Sequence, residues 1–257
     1  MNPREYEIMF AREDAYWWYR GMRRVTRAFA PGLFTAAAAS WLLDAGCGTG
    51  RNLQDLEAAG GHAVGVDVSL RALGLARRRG RTPLVCGSIE ALPFRAGAFA
   101  GALSRDVLYM VPREEAPARE LARVLDFGGT LVISSPAFRA LSGAHDRAVG
   151  GLRRHTAPEI ERLLAGAGLR VSRSTYANFF LAPVIWAVRV LTRAVSRARP
   201  AEEVASDFVL SPKLFEEILF SVLSLEARIV ARGRLPFGVT VFVLAEKPVQ
   251  GTSVAAK

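Results

Sequence analysis

The segment LLDAGCGTGRN, residues 42–52, constrains the fold of this chain more than any other stretch. A short apolar run leads to Asp44, and glycines follow at every second position as Gly46, Gly48 and Gly50. A strand that passes through glycines into a helix is typical of a βαβ unit, in which the turn holds a ligand at the helix N-terminus. The segment therefore predicts the first strand of a parallel sheet and a binding site beside it.

The rest of the chain alternates apolar runs with helical patterns, which predicts an α/β fold with a mostly parallel sheet and helices on both faces. Ser69 is suited to cap one helix and Gly80 to end it, and Thr156 and Glu159 have the spacing of a capping box. The predicted strands are 41–45, 62–67, 83–87, 99–105, 129–135, 169–176 and 237–247. The predicted helices lie within 5–30 and near 50–60, 69–79, 113–125, 157–167, 179–198 and 212–231.

These elements predict three parts of the chain. Residues 1–39 are expected to form N-terminal helices that cover the pocket, and residues 40–178 with 232–250 the Rossmann-like domain. Residues 179–231 are expected to be an inserted helical cap on the substrate side. Its first helix has Arg189, Arg193 and Arg197 on one face, next to apolar residues.

The glycine turn lacks the residues that two common classes of nucleotide-binding motif require, and this absence narrows the choice of ligand. A dinucleotide fingerprint needs a third glycine or alanine where Arg51 stands, and no Gly-Lys-Ser/Thr follows to bind a nucleoside triphosphate. Asp44 would repel a pyrophosphate at this helix N-terminus, whereas it would attract the ammonium and sulfonium of S-adenosylmethionine. Asp67 ends the second strand and suits the ribose hydroxyls of any adenosine ligand.

Five stretches together resemble the class I S-adenosylmethionine-dependent methyltransferases, and among them the type 11 methyltransferase domain family. They are LLDAGCGTG, VGVDVS, GSIEALPF, FAGALSRDVLYMV and LARVLDFGGTLVISSP, in the family's order within about residues 40–137. The resemblance implies a seven-stranded Rossmann-like sheet whose last strand is antiparallel, S-adenosylmethionine as cofactor and S-adenosylhomocysteine as product. The resemblance also implies a set of cofactor contacts in and beside these motifs. They are Asp44, Gly46, Cys47, Gly48, Gly50, Asp67, Val68, Ser88, Ile89, Ser104 and Arg105.

Two positions depart from the family's pattern. Ser88 stands where the family usually has an acid for the adenine amino group, and Tyr109 where it often has a small, charged or histidine residue. On the N-terminal side, the aromatic and basic segment YWWYRGMRR suggests that Trp18 and Arg23 help to cover the cofactor. An alternative interpretation of this segment is a helix whose tryptophans simply pack on the core.

The segment 136–156 is expected to border the acceptor, because it follows the fifth strand. His145 is the candidate base, since an imidazole titrates near neutral pH, and Arg153 and Arg154 are candidates to clamp a carboxylate or phosphate. Asp146 is alternatively suited to bond the loop backbone, and the whole group to tie down a surface loop. Tyr109 completes the catalytic candidates, and no cysteine or histidine spacing suggests a metal site.

A net charge of +10 is explained equally by an arginine-rich, lysine-poor composition or by an anionic partner, which would be a phosphate-bearing substrate or a membrane surface rather than a nucleic acid. No signal peptide or membrane-spanning run is evident, so a cytoplasmic location, with peripheral membrane contact through the cap, is the expectation. The expected acceptor is a small or lipid-like molecule. An RNA or protein acceptor is the alternative, although the motif for methylating an exocyclic base nitrogen is absent; a catalytically inactive cofactor-binding protein is another.

Overall fold

The computed structural model describes residues 3–35, 40–143, 146, 149–187 and 212–249. Its strands are β1 (Trp41–Ala45), β2 (His62–Asp67), β3 (Leu84–Cys86), β4 (Phe99–Arg105), β5 (Leu125–Pro136), β6 (Arg170–Ala177) and β7 (Thr240–Glu246). Its longer helices are α1 (Pro3–Arg12), α2 (Trp17–Phe29), α3 (Arg51–Glu57), α4 (Leu70–Arg77), α5 (Glu115–Val124), α6 (Ala157–Gly166) and α7 (Lys213–Arg232).

The strands form one seven-stranded sheet in the order β3-β2-β1-β4-β5-β7-β6. The first five strands are parallel to their neighbours, and β7 runs antiparallel to both β5 and β6. The predicted Rossmann-like sheet with an antiparallel last strand is therefore confirmed. The strand order reverses between β1 and β4, so the carboxyl ends of these two strands open the crevice in which such sheets bind ligands.

The predicted helix starts are borne out where a local cap decides them. The Ser69 hydroxyl accepts a hydrogen bond from the Ala72 N–H at 3.2 Å at the start of α4. The Glu159 carboxylate accepts from the Thr156 N–H at 2.7 Å, as a capping box requires. Helix ends were predicted less well, because α4 ends at Arg77, before Gly80.

Strand β5 is longer than predicted, since it begins directly at the end of α5 rather than after a loop. Leu125 already pairs with Phe99, and the register then shifts before Thr130 pairs with Gly101. Gly128 has a φ of 78° within this strand, a conformation that glycine adopts without steric cost. A local irregularity at this glycine thus joins two segments that sequence patterning separated.

The two sides of the sheet bury separate apolar clusters, as alternation along a strand dictates. In β1, Leu43 belongs to the cluster that α5 and α6 cover, and Leu42 to the cluster that α2 and α7 cover. Phe242 of β7 lies in the second cluster with Met22 and Phe29 of α2. The sheet is therefore covered on both sides.

Helix α7 packs against α2, and the predicted cap over 179–231 stays a prediction. Its buried residues Ala227 and Val230 lie in the same cluster as α2 and the sheet, and a Cβ atom on Gly21 of α2 would collide with the buried Leu223. Glycine allows the two helices to approach closely, so this part of α7 is a layer of the main core. The predicted helix 179–198 is described only as a helical stretch at 182–187, and Arg189, Arg193 and Arg197 lie outside the described residues.

No helix in the described part of the chain combines the length and apolar character needed to cross a membrane.

Candidate functional site

The glycine turn connects β1 to α3 through three residues with positive φ: 82° at Gly46, 52° at Gly48 and 83° at Gly50. Side chains would also clash there, because a Cβ atom on Gly46 would collide with Val107 and one on Gly50 would lie 2.8 Å from Cβ of Ala76. Backbone freedom and close approach both require glycine at these two positions. The glycines therefore present bare backbone, and the tip of Met9 in α1 lies over Gly48.

Asp44 lies near the end of β1, beside this turn, and is completely buried. Neither of its carboxyl oxygens has a hydrogen bond of good geometry within the described structure, although the Asn52 side chain is close enough to lower the pKa of Asp44, and Nε of Arg105 also has no hydrogen-bond partner there. Burial raises the pKa of Asp44 to about 7, and the charge of Arg105 opposes this shift. Buried carboxylates without partners are rare and costly, so these two oxygens indicate a missing donor group.

Asp67 fixes the turn from the end of β2. Its carboxylate accepts hydrogen bonds from the Gly48 N–H at 2.9 Å and from the Ser69 N–H at 2.8 Å. Burial raises its pKa, and these two N–H donors act against the shift. A carboxylate has room for about four hydrogen bonds, so Asp67 retains acceptor capacity for ribose hydroxyls.

The N-terminal helices lie over the glycine turn, through contacts that the sequence did not reveal. The Glu13 carboxylate accepts hydrogen bonds from the Thr49 hydroxyl and from Arg79, the latter at 2.7 Å, and it is buried. Asp14 pairs with Arg79 and with Arg51, each at 2.7 Å. Acids on a helix usually face solvent, so only the fold could show that these two anchor α1 and the following turn to the site.

Trp18 and Arg23, the predicted cofactor contacts of α2, are held by the protein itself. Trp18 packs half-buried against the second apolar cluster. Arg23 donates to the Glu13 carbonyl and lies 3.6 Å from the Asp55 carboxylate. Burial lowers the pKa of Arg23 to about 10. Both residues therefore have a clear role in placing α2, and their contact with a cofactor stays a prediction.

The other predicted cofactor residues lie around the same crevice. Cys47 is buried and its N–H donates to the Val66 carbonyl, whereas Val68 is exposed. The Ser88 hydroxyl accepts from the Glu90 N–H at 3.1 Å, and Ile89 belongs to the first apolar cluster. The remaining residue of the set, Ser104, donates from its hydroxyl to the Ala45 carbonyl at 3.0 Å and so ties β4 to β1.

The loop after β5 gives Arg154 a different role from the predicted anion clamp. Its guanidinium is buried and forms a paired interaction with Asp146, through Nε at 3.0 Å and Nη2 at 2.8 Å. It also donates to the Ala137 carbonyl, and Asp146 accepts from the Gly143 N–H at 2.7 Å. Asp146 therefore binds the loop backbone, which was the alternative expected from the sequence. Arg154 helps to hold the same loop in place.

Arg153 and His155 belong to a second set of contacts in the same loop. Glu114 accepts from Nε2 of His155 at 2.6 Å and pairs with Nε of Arg153 at 3.0 Å. Nδ1 of His155 lies 2.7 Å from the Ser135 hydroxyl. Tyr109 is buried against Gly151, and burial raises the pKa of its hydroxyl. His145, the candidate base, lies outside the described residues.

The comparisons with known proteins identify this arrangement. Residues 43–133 match the family model described as a methyltransferase domain. Residues 43–133 therefore match a methyltransferase domain, and the chain has the fold of the class I S-adenosylmethionine-dependent methyltransferases. The matched residues include the glycine turn, Asp44, Asp67 and the carboxyl end of β4, which are the parts that build the crevice.

Relatives and solved structures agree with this assignment. A rice protein described as 24-methylenesterol C-methyltransferase 2 is 29% identical over 148 residues, which are 53% of this chain and 41% of that protein. A structure from Thermotoga maritima, described as a methyltransferase and possible histamine N-methyltransferase, has a TM-score of 0.57 at 18% identity, covering 95% of each chain. The geranyl diphosphate C-methyltransferase of Streptomyces coelicolor, solved with S-adenosyl-L-homocysteine, has a TM-score of 0.57 at 17% identity, covering 86% of this chain and 80% of that one.

The chain spans less than half the length of the curated relatives it matches. The structural neighbours establish the fold, and the family model establishes the domain. S-adenosylmethionine is the cofactor of this class, and the residues present fit it: the unpaired oxygens of Asp44 suit its ammonium and Asp67 suits its ribose. Within the described residues, no group of three or more His, Cys, Asp or Glu side chains is placed to hold a metal ion.

Proposed function

We propose that this chain transfers a methyl group from S-adenosylmethionine to a small-molecule or lipid-like acceptor. The observation that carries the proposal is the pair of unpartnered oxygens on Asp44, buried at the carboxyl end of β1 beside a glycine turn. A buried acid costs folding free energy unless a ligand pairs with it. Its retention next to the turn is explained by a cationic ligand with an adenosine portion.

The mechanism follows from what these residues do. The bound cofactor supplies a methyl carbon that its sulfonium has already activated, so the protein's contribution is chiefly proximity and alignment. Asp44 accepts hydrogen bonds from an ammonium, and Asp67 accepts them from ribose hydroxyls. The helices α1 and α2 exclude water from the crevice, and the loop that Arg154 and Asp146 fix borders the acceptor side.

The acceptor atom is oxygen, nitrogen or carbon, and the similar proteins represent the carbon and nitrogen classes. The sterol and geranyl diphosphate enzymes are described as carbon methyltransferases, and the Thermotoga maritima protein as a possible amine methyltransferase. The alternatives of an RNA or protein acceptor, and of an inactive cofactor-binding protein, are separated by experiment. Incubation with methyl-labelled S-adenosylmethionine and either RNA, protein or a small-molecule panel reveals the class, and label in none of them supports the inactive protein.

Binding measurements test the cofactor directly. We expect calorimetry to show binding of S-adenosylhomocysteine and no binding of NAD. The variant Asp67→Asn should bind S-adenosylhomocysteine about 1–3 kcal/mol more weakly, the usual cost of losing hydrogen bonds to a charged acceptor. Asp126→Asn, at an exposed acid far from the crevice, is the matched control. Unchanged affinity in Asp67→Asn would refute the ribose assignment, and NAD binding would refute the proposed function.

Peripheral contact with a membrane is a further part of this proposal. Val184 and Trp186 in the 182–187 stretch are exposed, as are Leu214 and Ile218 at the start of α7. Apolar side chains that meet a bilayer surface lose affinity when they carry a charge. We expect the protein to co-sediment with vesicles that contain phosphatidylserine and the double variant Trp186→Glu with Leu214→Glu to remain in solution. No sedimentation of the unmodified protein at low salt would refute the contact.

A further inference from the structure

Two side chains of the crevice hold buried polar atoms that make no hydrogen bond of good geometry within the described structure. They are Asp44, through both carboxyl oxygens, and Arg105, through Nε. Buried polar atoms are almost always paired, and the cost of leaving them unpaired is greatest for charged groups. The crevice therefore lacks two partner groups, a cationic donor for Asp44 and an anionic acceptor for Arg105.

The strand register places these two side chains on the same side of the sheet. Asp44 of β1 is paired with Leu103 of β4, and Arg105 follows Leu103 by two residues as the last residue of that strand. Leu103 lies in the second apolar cluster, and side chains two residues apart on a strand point to the same side. With a rise of about 3.3 Å per residue and about 4.8 Å between strands, the Cα atoms of Asp44 and Arg105 are about 8 Å apart. Both side chains therefore line the crevice on the side that α2 covers.

Arg105 differs from the other arginines beside the crevice. Arg23 and Arg51 both pair with the Asp55 carboxylate, at 3.6 Å and 2.5 Å. Arg105 instead makes a long hydrogen bond, from Nη1 to Oδ1 of the neutral Asn52 at 3.4 Å. Burial lowers the pKa of Arg23, and the charges of Arg51 and Arg105 lower it further, because like charges repel. An anion bound to Arg105 would satisfy its free Nε and relieve this repulsion.

A single ligand group complements both side chains if it carries an ammonium and a carboxylate on the same carbon, as an α-amino acid does. The methionyl end of S-adenosylmethionine is such a group. We propose that Arg105 binds the methionyl carboxylate while Asp44 binds the ammonium, so that Arg105 selects a cofactor whose amino acid end is intact. A guanidinium suits this role, because it forms paired, charge-assisted hydrogen bonds with a carboxylate. The inference rests on the proposed function and adds a specificity-determining residue to the same site.

Calorimetric binding of related adenosine compounds tests this selection. S-adenosylhomocysteine carries both charged groups, decarboxylated S-adenosylhomocysteine keeps only the ammonium, and methylthioadenosine has neither. We expect the unmodified protein to bind S-adenosylhomocysteine about tenfold or more tightly than the decarboxylated compound, as is usual for hydrogen bonds between charged groups. Arg105→Gln should lose this preference, and its affinity for the decarboxylated cation should stay the same or increase, because a like charge has been removed. Methylthioadenosine should bind to both proteins alike, which reports that the crevice is intact.

Two further variants control the experiment. Arg170→Gln removes the same charge from an exposed ion pair with Glu246 and should keep the full preference. Arg105→Lys keeps the charge without the paired geometry and should keep part of the preference. An acceptor that is itself an amino acid would offer the same two groups, but no acceptor is present in these titrations, so the preference reports on the cofactor alone.

The outcomes separate this inference from the proposed function. If S-adenosylhomocysteine binds but has no advantage over the decarboxylated compound, or if Arg105→Gln keeps that advantage, Arg105 does not bind the carboxylate and the proposed function stands. If Arg105→Gln no longer binds methylthioadenosine, the unmodified protein and Arg105→Lys decide the matter by the same preference. If none of the three compounds binds to the unmodified protein, the proposed function fails and this inference fails with it.

Discussion

Replacing Asp44 by asparagine should weaken binding of S-adenosylmethionine by on the order of 100-fold, or about 3 kcal/mol, which is typical when one partner of a buried charge pair is removed. An amide keeps the shape of the side chain but cannot offset an ammonium. Calorimetric titration of both proteins with the cofactor measures the loss. Asp126→Asn again serves as the control, and an affinity within threefold of the unmodified protein would contradict the role of Asp44.

The same variant should be more stable than the unmodified protein when no ligand is present. Burial raises the pKa of Asp44 from its usual range to about 7. The folded protein therefore holds a proton that the unfolded chain has lost, and this contribution to stability decreases as the pH rises towards 7. Above pH 7, Asp44→Asn should gain as much as about 4 kcal/mol of unfolding free energy, and much less at pH 4. Urea unfolding at pH 4 and pH 8 tests this, and a gain that does not grow with pH would contradict it.

Replacing Asp146 by asparagine should destabilise the protein by about 3–5 kcal/mol, because it leaves the Arg154 charge buried without its partner. The pair is nearly inaccessible to solvent, and it fixes the loop that borders the acceptor side. Arg170→Gln breaks an ion pair of similar length between the exposed side chains of Arg170 in β6 and Glu246 in β7, and it should cost less than about 1 kcal/mol. Denaturant unfolding of both variants gives the comparison, and equal losses would show that burial of the Arg154 pair adds nothing.

Sequence patterning predicted the features that local interactions decide. The strands of the parallel sheet follow from apolar runs, and the caps at Ser69 and Thr156 follow from spacing within one turn of helix. The glycine turn was recognisable because its conformation excludes other residues at Gly46 and Gly50. The acids at the ends of β1 and β2 could be placed in one crevice because parallel strands end at the same edge of the sheet.

Contacts between distant segments could not be predicted in the same way. Arg154 was assigned to an anion because nothing in its own segment shows that Asp146 neutralises it. Helix α7 was assigned to a cap because its packing partner, Gly21, is about two hundred residues away in the chain.

The anchoring of α1 over the glycine turn also has a consequence for the rate of turnover. Glu13 and Asp14 pair with Arg79 and Arg51 beside the glycine turn, so the N-terminal segment can move away from the turn only when these ion pairs break. Cofactor exchange that requires this movement is limited by how often the pairs open, and that frequency sets an upper limit on the cycle rate however fast the chemical step is. Ionic strength would weaken the pairs of the exposed Asp14 more than the buried pair between Glu13 and Arg79, and it would act on this exchange rather than on the chemistry.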